Sequence, residues 1–317
     1  MTWDAIVLGG GAAGLSGGIV LARTGARVVV IEDQTPRNAP ATHMHGFLSR
    51  DGMEPSALLR TGREELVGFG GRSLEAHATH AERHGESEFR VVLKDGSELI
   101  APAMLVATGL RDVLPNIPGA QELWGDLVHH CPHCHGREVA GSRIAVIGGQ
   151  NAPMSVHQAG LMRRYSEDVA FYTNGIALGD DQRVRLEAIG VALDSTPVVH
   201  IGRDSDPKQR GVELALEDGR HVRHDTAFVA PMMEPRDAAV ASLDLVRAEG
   251  GPWIDVGSTG RTSMTGVWAA GNISNPRAQV ITAAGEGSTA AIDIAGYLLE
   301  RDLVRAVRGE SVSWFAR

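Results

Sequence analysis

The chain has only two cysteines, and they stand three apart in His129-His130-Cys131-Pro132-His133-Cys134-His135-Gly136. Two sulfurs at this spacing at the start of a helix can close a strained, reducible disulfide. The helix dipole and the neighbouring imidazoles can lower a thiol pKa, which supplies thiolate near neutral pH. Histidine is the natural proton carrier beside such a pair. The segment therefore points to thiol–disulfide exchange by Cys131 and Cys134, with His135 and His130 as candidates for moving the proton. Three other uses stay open. Zinc could take both sulfurs and two imidazoles, although structural zinc sites usually draw their remaining ligands from a distant segment. The pair could also be a short structural disulfide, or two inert buried thiols. It is not part of a disulfide framework, which needs more cysteines than two.

A second chemical signature opens the chain. Gly9-Gly10-Gly11-Ala12-Ala13-Gly14 fits G-x-G-x-x-G, follows the apolar run Ala5–Leu8 and precedes helical spacing over residues 13–24. In this motif Gly9 permits the tight turn, and Gly11 lets backbone approach a pyrophosphate. Gly14 lets the helix pack on the strand, while the amides of Ala12 and Ala13 face the phosphate charge. Glu32 closes the next apolar run, residues 27–31, about 20 residues further on, where an acid accepts ribose hydroxyls. The motif alone does not separate FAD from NAD.

The elements that must carry these residues follow from periodicity and punctuation. Residues 33–52 read as a polar loop broken by Pro36 and Pro40, and Pro55–Gly68 reads as a helix. Residues 73–107 are strand-like, with Asp95-Gly96 as a hairpin turn. A second strand–turn–helix unit starts at residues 143–147, turns at Gly148-Gly149, runs to about Arg164 and is followed by the strand Val169–Tyr172. Near the end lie the strand Val267–Ala269 and an Ala-rich helix from about Ala278. These units imply an α/β protein of two Rossmann-like three-layer dinucleotide-binding domains, the second inserted in the first. Pro115 and Pro118 mark one crossing, and Pro231 and Pro235 the return. The expected limits are 1–113 with 236–317 for the first domain and 114–235 for the insert.

A length of 317 residues with 43 % hydrophobic content and 39 glycines suits such a fold. The net charge of −9 argues against nucleic acid or an anionic membrane surface as partner. No run of about 18 apolar residues offers a membrane span. The N-terminus lacks the basic start of a secretory signal, so a cytoplasmic location is expected.

Taken together, these motifs resemble the low-molecular-weight thioredoxin reductase family over nearly the whole chain. The resemblance implies FAD as cofactor and a homodimer. Leu105-Val106-Ala107-Thr108-Gly109 and Gly266-Val267-Trp268-Ala269-Ala270-Gly271-Asn272 resemble that superfamily's closing FAD-contact segments, which usually end in Gly-Asp. Asn272 stands in place of that Asp, and its amide can still hydrogen-bond a ribitol hydroxyl. Residues 279–285 resemble the family's flavin-reaching stretch, which implies flavin contact for Gln279 and Val280; His45 resembles another flavin-contacting polar residue.

Three departures from the family pattern set the direction of electron flow. The second turn reads Gly148-Gly149-Gln150-Asn151-Ala152-Pro153, with Gln150 where Gly is needed and Pro153 lacking an N–H. Thr173-Asn174-Gly175 replaces a basic cluster that would pair the 2′-phosphate of NADPH. His135 replaces the Asp that follows the second Cys. This variant resembles the FAD-dependent dithiol oxidases that close intramolecular disulfides in natural products such as gliotoxin and holomycin, in biosynthesis and self-resistance. That resemblance implies a small-molecule dithiol as substrate, Cys131 as interchange sulfur and O2 as electron acceptor. The rival readings are a reductase fed by NADPH or ferredoxin, and a non-catalytic flavin redox sensor.

Overall fold

The computed structural model describes residues 3–204, 206 and 210–312. Its first sheet has five parallel strands in the order Val267–Ala269, Ala103–Val106, Ala5–Leu8, Val28–Glu32 and Arg72–Glu75. The middle strands are buried along their whole length, as a parallel sheet covered on both faces requires. On one face the helices Ala12–Arg23 and Val280–Val307 pack over Leu105, Val30 and Trp268. On the other, the antiparallel strands Ala78–His84, Glu88–Leu93 and Glu98–Ala101 bring Phe89 and Val91 onto Leu8 and Met104.

The same three layers are then repeated. Ala192–Asp194, Val169–Tyr172, Ile144–Ile147, Thr226–Val229 and Val128–His129 form a second five-stranded parallel sheet. Helices Ala152–Met162 and Asp180–Ala188 cover one face through Ala159, Met162 and Leu186. The antiparallel strands Val198–Arg203, Val212–Leu216 and His221–His224 cover the other. Between the sheets runs a two-stranded antiparallel ribbon of Leu110–Val113 and Met232–Pro235. The fold is α/β with two Rossmann-like three-layer units, the second inserted in the first. Its strands all come between Val106 and the return of the chain to the first sheet at Val267.

The first helix begins one residue earlier than its periodicity suggests, and the hairpin around Asp95 and Gly96 forms, Gly96 taking φ +83°. Residues 33–52 stay irregular, held at one point by a bridge from Met44 to Met53. The helix expected to reach about Arg164 ends at Met162. Just past it the Arg163 guanidinium donates to the carbonyls of Ile189 (2.6 Å) and Ser166. Among the described residues no helix is long and apolar enough to cross a membrane.

Candidate active site

A single cavity of about 610 Å³ runs from the first glycine turn to the cysteine pair. It is lined by Gly9, Gly11, Ala12, Ala13, Glu32, His45, Ala107, Thr108, Gly109, Gly271, Asn272, Gln279 and Val280, and at its other end by His130, Cys131, Cys134 and His135. Of the residues singled out from sequence, Gly14 alone lies off the wall. Its role is packing: a Cβ there would fall 1.8 Å from the carbonyl oxygen of Gly9.

The dinucleotide end is built by the crossing of strand and helix. Gly9 holds φ +108°, where L side chains are strained, and a Cβ on it would strike the carbonyl of Ala107 at 2.3 Å. The helix that follows has Gly11 as N-cap, with no capping side chain and no acid in its first turn, and space lies open where a Gly11 Cβ would point. Its first amides are therefore free to face a pyrophosphate. Glu32, only 7 % exposed, is gripped by Arg63 at 3.1 Å and Ser73 at 3.2 Å, so its carboxylate stands fixed for ribose hydroxyls. The hydroxyl of Thr108 is buried without a partner among the described residues. An open helix terminus, an anchored acid and an orphaned hydroxyl on one wall fit FAD.

Asn272 differs in detail from the sequence expectation. Its Nδ2 donates to the carbonyls of Asn275 and Ala278, both at 3.0 Å, and its Oδ1 accepts from Arg37 at 3.2 Å. Both donors are thus engaged within the protein, leaving a lone pair of Oδ1 for a hydroxyl. Arg37 continues to Asp112 with two bonds of 2.7 and 2.8 Å. Sequence reasoning missed both Arg37 and Arg63, because no local spacing links either to its partner.

At the other end Cys131 and Cys134 form a disulfide with Cα atoms 5.2 Å apart. Cys131 is the N-cap of Pro132–His135, and its carbonyl accepts from the amides of Cys134 and His135, each at 3.1 Å. Both sulfurs are engaged, and among the described residues no cluster of three or more His, Cys, Asp or Glu side chains could hold a metal. The rings of His129 and His135 stack at 4.3 Å with 19° between planes. Burial, reinforced by His135, pushes the pKa of His129 from 6.5 down to about 3. Burial, then the charge of Arg37, takes His130 to about 4, and burial lowers His135 as well. These three imidazoles are therefore neutral at pH 7. None of these three therefore brings an imidazolium to the cysteine pair at that pH, and the helix beside the pair is only four residues long. The imidazoles remain proton acceptors, and the Nδ1 of each is buried without a partner among the described residues. His45 presents Nδ1 to Asp51 at 3.3 Å and Nε2 to Glu138 at 3.5 Å, tying its loop to the chain just past the cysteines.

The second glycine turn is closed upon itself. Asn151 Oδ1 accepts from the amide of Met154 at 3.1 Å. The amide of Gly149 donates to Ser155 Oγ at 3.1 Å, and that hydroxyl donates to the Asn151 carbonyl at 3.0 Å. Pro153 has no N–H to give. Asn174 spans the next gap, donating to the Gly148 carbonyl at 3.0 Å and accepting from the Val198 amide at 3.1 Å. The amides of Gly149 and Met154 are thus spent inside the protein.

Two Rossmann-like units, one open dinucleotide turn and a disulfide on the same cavity define a flavin-dependent disulfide oxidoreductase. Comparison with known proteins agrees: residues 3–287 match the model of the pyridine nucleotide-disulphide oxidoreductases, and the chain belongs to that family, with FAD as its cofactor. It is 28 % identical over 316 residues to thioredoxin reductase sirT of Leptosphaeria maculans, covering 95 % of this chain and 96 % of that one. Over 281 residues it is 30 % identical to thioredoxin reductase tcpT of Claviceps purpurea, covering 85 % and 86 %. The crystal structure of HlmI superposes with a TM-score of 0.91 at 44 % identity, covering 97 % of this chain and 96 % of that one.

Proposed function

We propose that the protein oxidises a small-molecule dithiol of the natural-product type to its intramolecular disulfide, with O2 as final electron acceptor. In this reading residues 1–113 and 236–317 hold FAD, residues 114–235 carry the disulfide on a domain that takes no pyridine nucleotide, and the enzyme works as a homodimer. A substrate thiolate attacks Cys131, and the Cys131–Cys134 bond breaks to give a mixed disulfide and a Cys134 thiolate. The second substrate thiol then displaces Cys131, so the substrate leaves as a cyclic disulfide and its two electrons remain as the Cys131/Cys134 dithiol. His135, with His130 beside it, accepts the substrate protons, a task that the neutral imidazole can perform. Exchange rates follow thiolate fraction and leaving-group pKa. FAD, which the first glycine turn, Glu32 and Thr108 would hold, would supply the two-electron chemistry between the dithiol and O2, whose reduction with two protons gives hydrogen peroxide.

The observation that carries this reading is the contrast between the two glycine turns. The first leaves its helix amides open on the cavity of the disulfide, whereas the second spends the amides of Met154 and Gly149 on Asn151 and Ser155 and has Pro153, with no N–H, in its first helical turn. Anaerobic titration of the FAD-loaded protein tests it: dithiols bleach the visible flavin band and NADPH does not. The names of the fungal relatives favour a reductase instead, and rapid bleaching by NADPH, or by reduced ferredoxin but not dithiols, would establish that alternative. No oxygen uptake with any dithiol would point to a redox sensor.

A further inference from the structure

The core-facing stripe of the helix Ala152–Met162 consists of Ser155, Gln158, Ala159 and Met162, all buried. Gln158 is only 2 % exposed, an unusual place for an amide. Its Nε2 donates to the main-chain carbonyl of His130 at 2.6 Å. That carbonyl belongs to the peptide unit joining His130 to Cys131. Oε1 of the same amide is buried without a partner among the described residues, a desolvation cost left unmet. Gln158 lines the same cavity as the disulfide, and so do Met154 and Leu161 of its helix.

We propose that Gln158 is the positioning residue of the redox pair: by fixing the His130–Cys131 peptide it sets where Cys131 Sγ stands and how readily the disulfide opens. The cysteine turn has little else to fix it, being four residues long with its internal bonds running only to the carbonyls of Cys131 and Pro132. The inference rests on reading Cys131 and Cys134 as the working sulfurs.

Two variants test it in the FAD-loaded protein, Gln158→Met, which keeps the volume without a donor, and Gln158→Glu, which keeps the shape with acceptors only. Equilibration with glutathione buffers followed by thiol alkylation measures the Cys131–Cys134 couple without any substrate. Loss of the bond should shift that equilibrium about tenfold toward the dithiol, or about 30 mV for a two-electron couple. Turnover with a dithiol should fall about tenfold in kcat while KM stays within about twofold, since both variants keep a side chain of similar size on the cavity wall. An equilibrium and a kcat both within twofold of the parent, in a variant that retains FAD, would overturn the proposal. So would loss of FAD from both variants, which would make Gln158 a core residue. If the parent oxidises no dithiol, the oxidase reading fails while the shift in the couple still decides the role of Gln158.

Discussion

Acidification from pH 7.5 to 5 will destabilise the protein through its buried histidines. His129 sits at about 3, and His130 and His224 at about 4, against 6.5 in an unfolded chain, with burial the largest cause in each. Between these values the unfolded chain binds protons that the folded chain refuses, so stability rises with pH across the window. Each residue contributes about 1.4 kcal/mol per pH unit below 6.5, hence about 2 kcal/mol at pH 5 and about 6 kcal/mol for the three. Typical domains are stable by about 5–15 kcal/mol, so the loss is large. Depressed carboxylates such as Asp194 and Asp225 start from 3.8 and add only below that window. His224 isolates the effect, because it lies far from the cysteines in sequence and off the cavity wall, with Nε2 2.9 Å from the hydroxyl of Tyr172. Burial raises the Tyr172 pKa to about 12, so its hydroxyl keeps its proton beside the neutral His224 ring. Urea unfolding at several pH values measures the slope. The parent should lose about 6 kcal/mol between pH 7.5 and 5, and His224→Gln should lose about 2 kcal/mol less over the same span. A parent loss below about 1 kcal/mol, or an unchanged slope in the variant, would refute the reasoning.

Two further outcomes concern the two ends of the cavity. Cys131→Ser and Cys134→Ser should each keep the yellow flavin absorbance yet lower dithiol turnover, followed by oxygen uptake, to below about 1 % of the parent. Gly14→Ala places a Cβ 1.8 Å from the Gly9 carbonyl and should cost about 1–3 kcal/mol in thermal or urea unfolding, whereas Gly11→Leu fills open space and should cut FAD content while circular dichroism holds.

Much of the site was legible in the residues because its signals are local. The first glycine turn, its acid and the cysteine pair each occupy a few consecutive positions whose spacing encodes a backbone conformation. All but Gly14 of the residues chosen on that basis line one cavity. Arg63 on Glu32, Arg37 between Asp112 and Asn272, and Gln158 on His130 were not legible. Each joins residues tens to hundreds of positions apart, and no periodicity records which side chains a fold will bring together. The second glycine turn lies between these cases. Its sequence showed that Gln150 and Pro153 disfavour a pyrophosphate, but not that Asn151 and Ser155 take up the amides themselves.

The sequence by itself determined the α/β class, the inserted repeat and the pairing of Cys131 with Cys134, since apolar periodicity, glycine placement and cysteine spacing act through local backbone geometry. The tertiary structure decided the electrostatic character of the site. A Cys-x-x-Cys ringed with histidines suggests positive charge from its composition. Packed beside Phe228 and against its neighbours, His129 with His135 and His130 is driven neutral, because burial penalises the charged form more than any nearby carboxylate favours it. Burial is a property of the folded whole, and it removes these imidazoles as sources of charge while weakening them as bases.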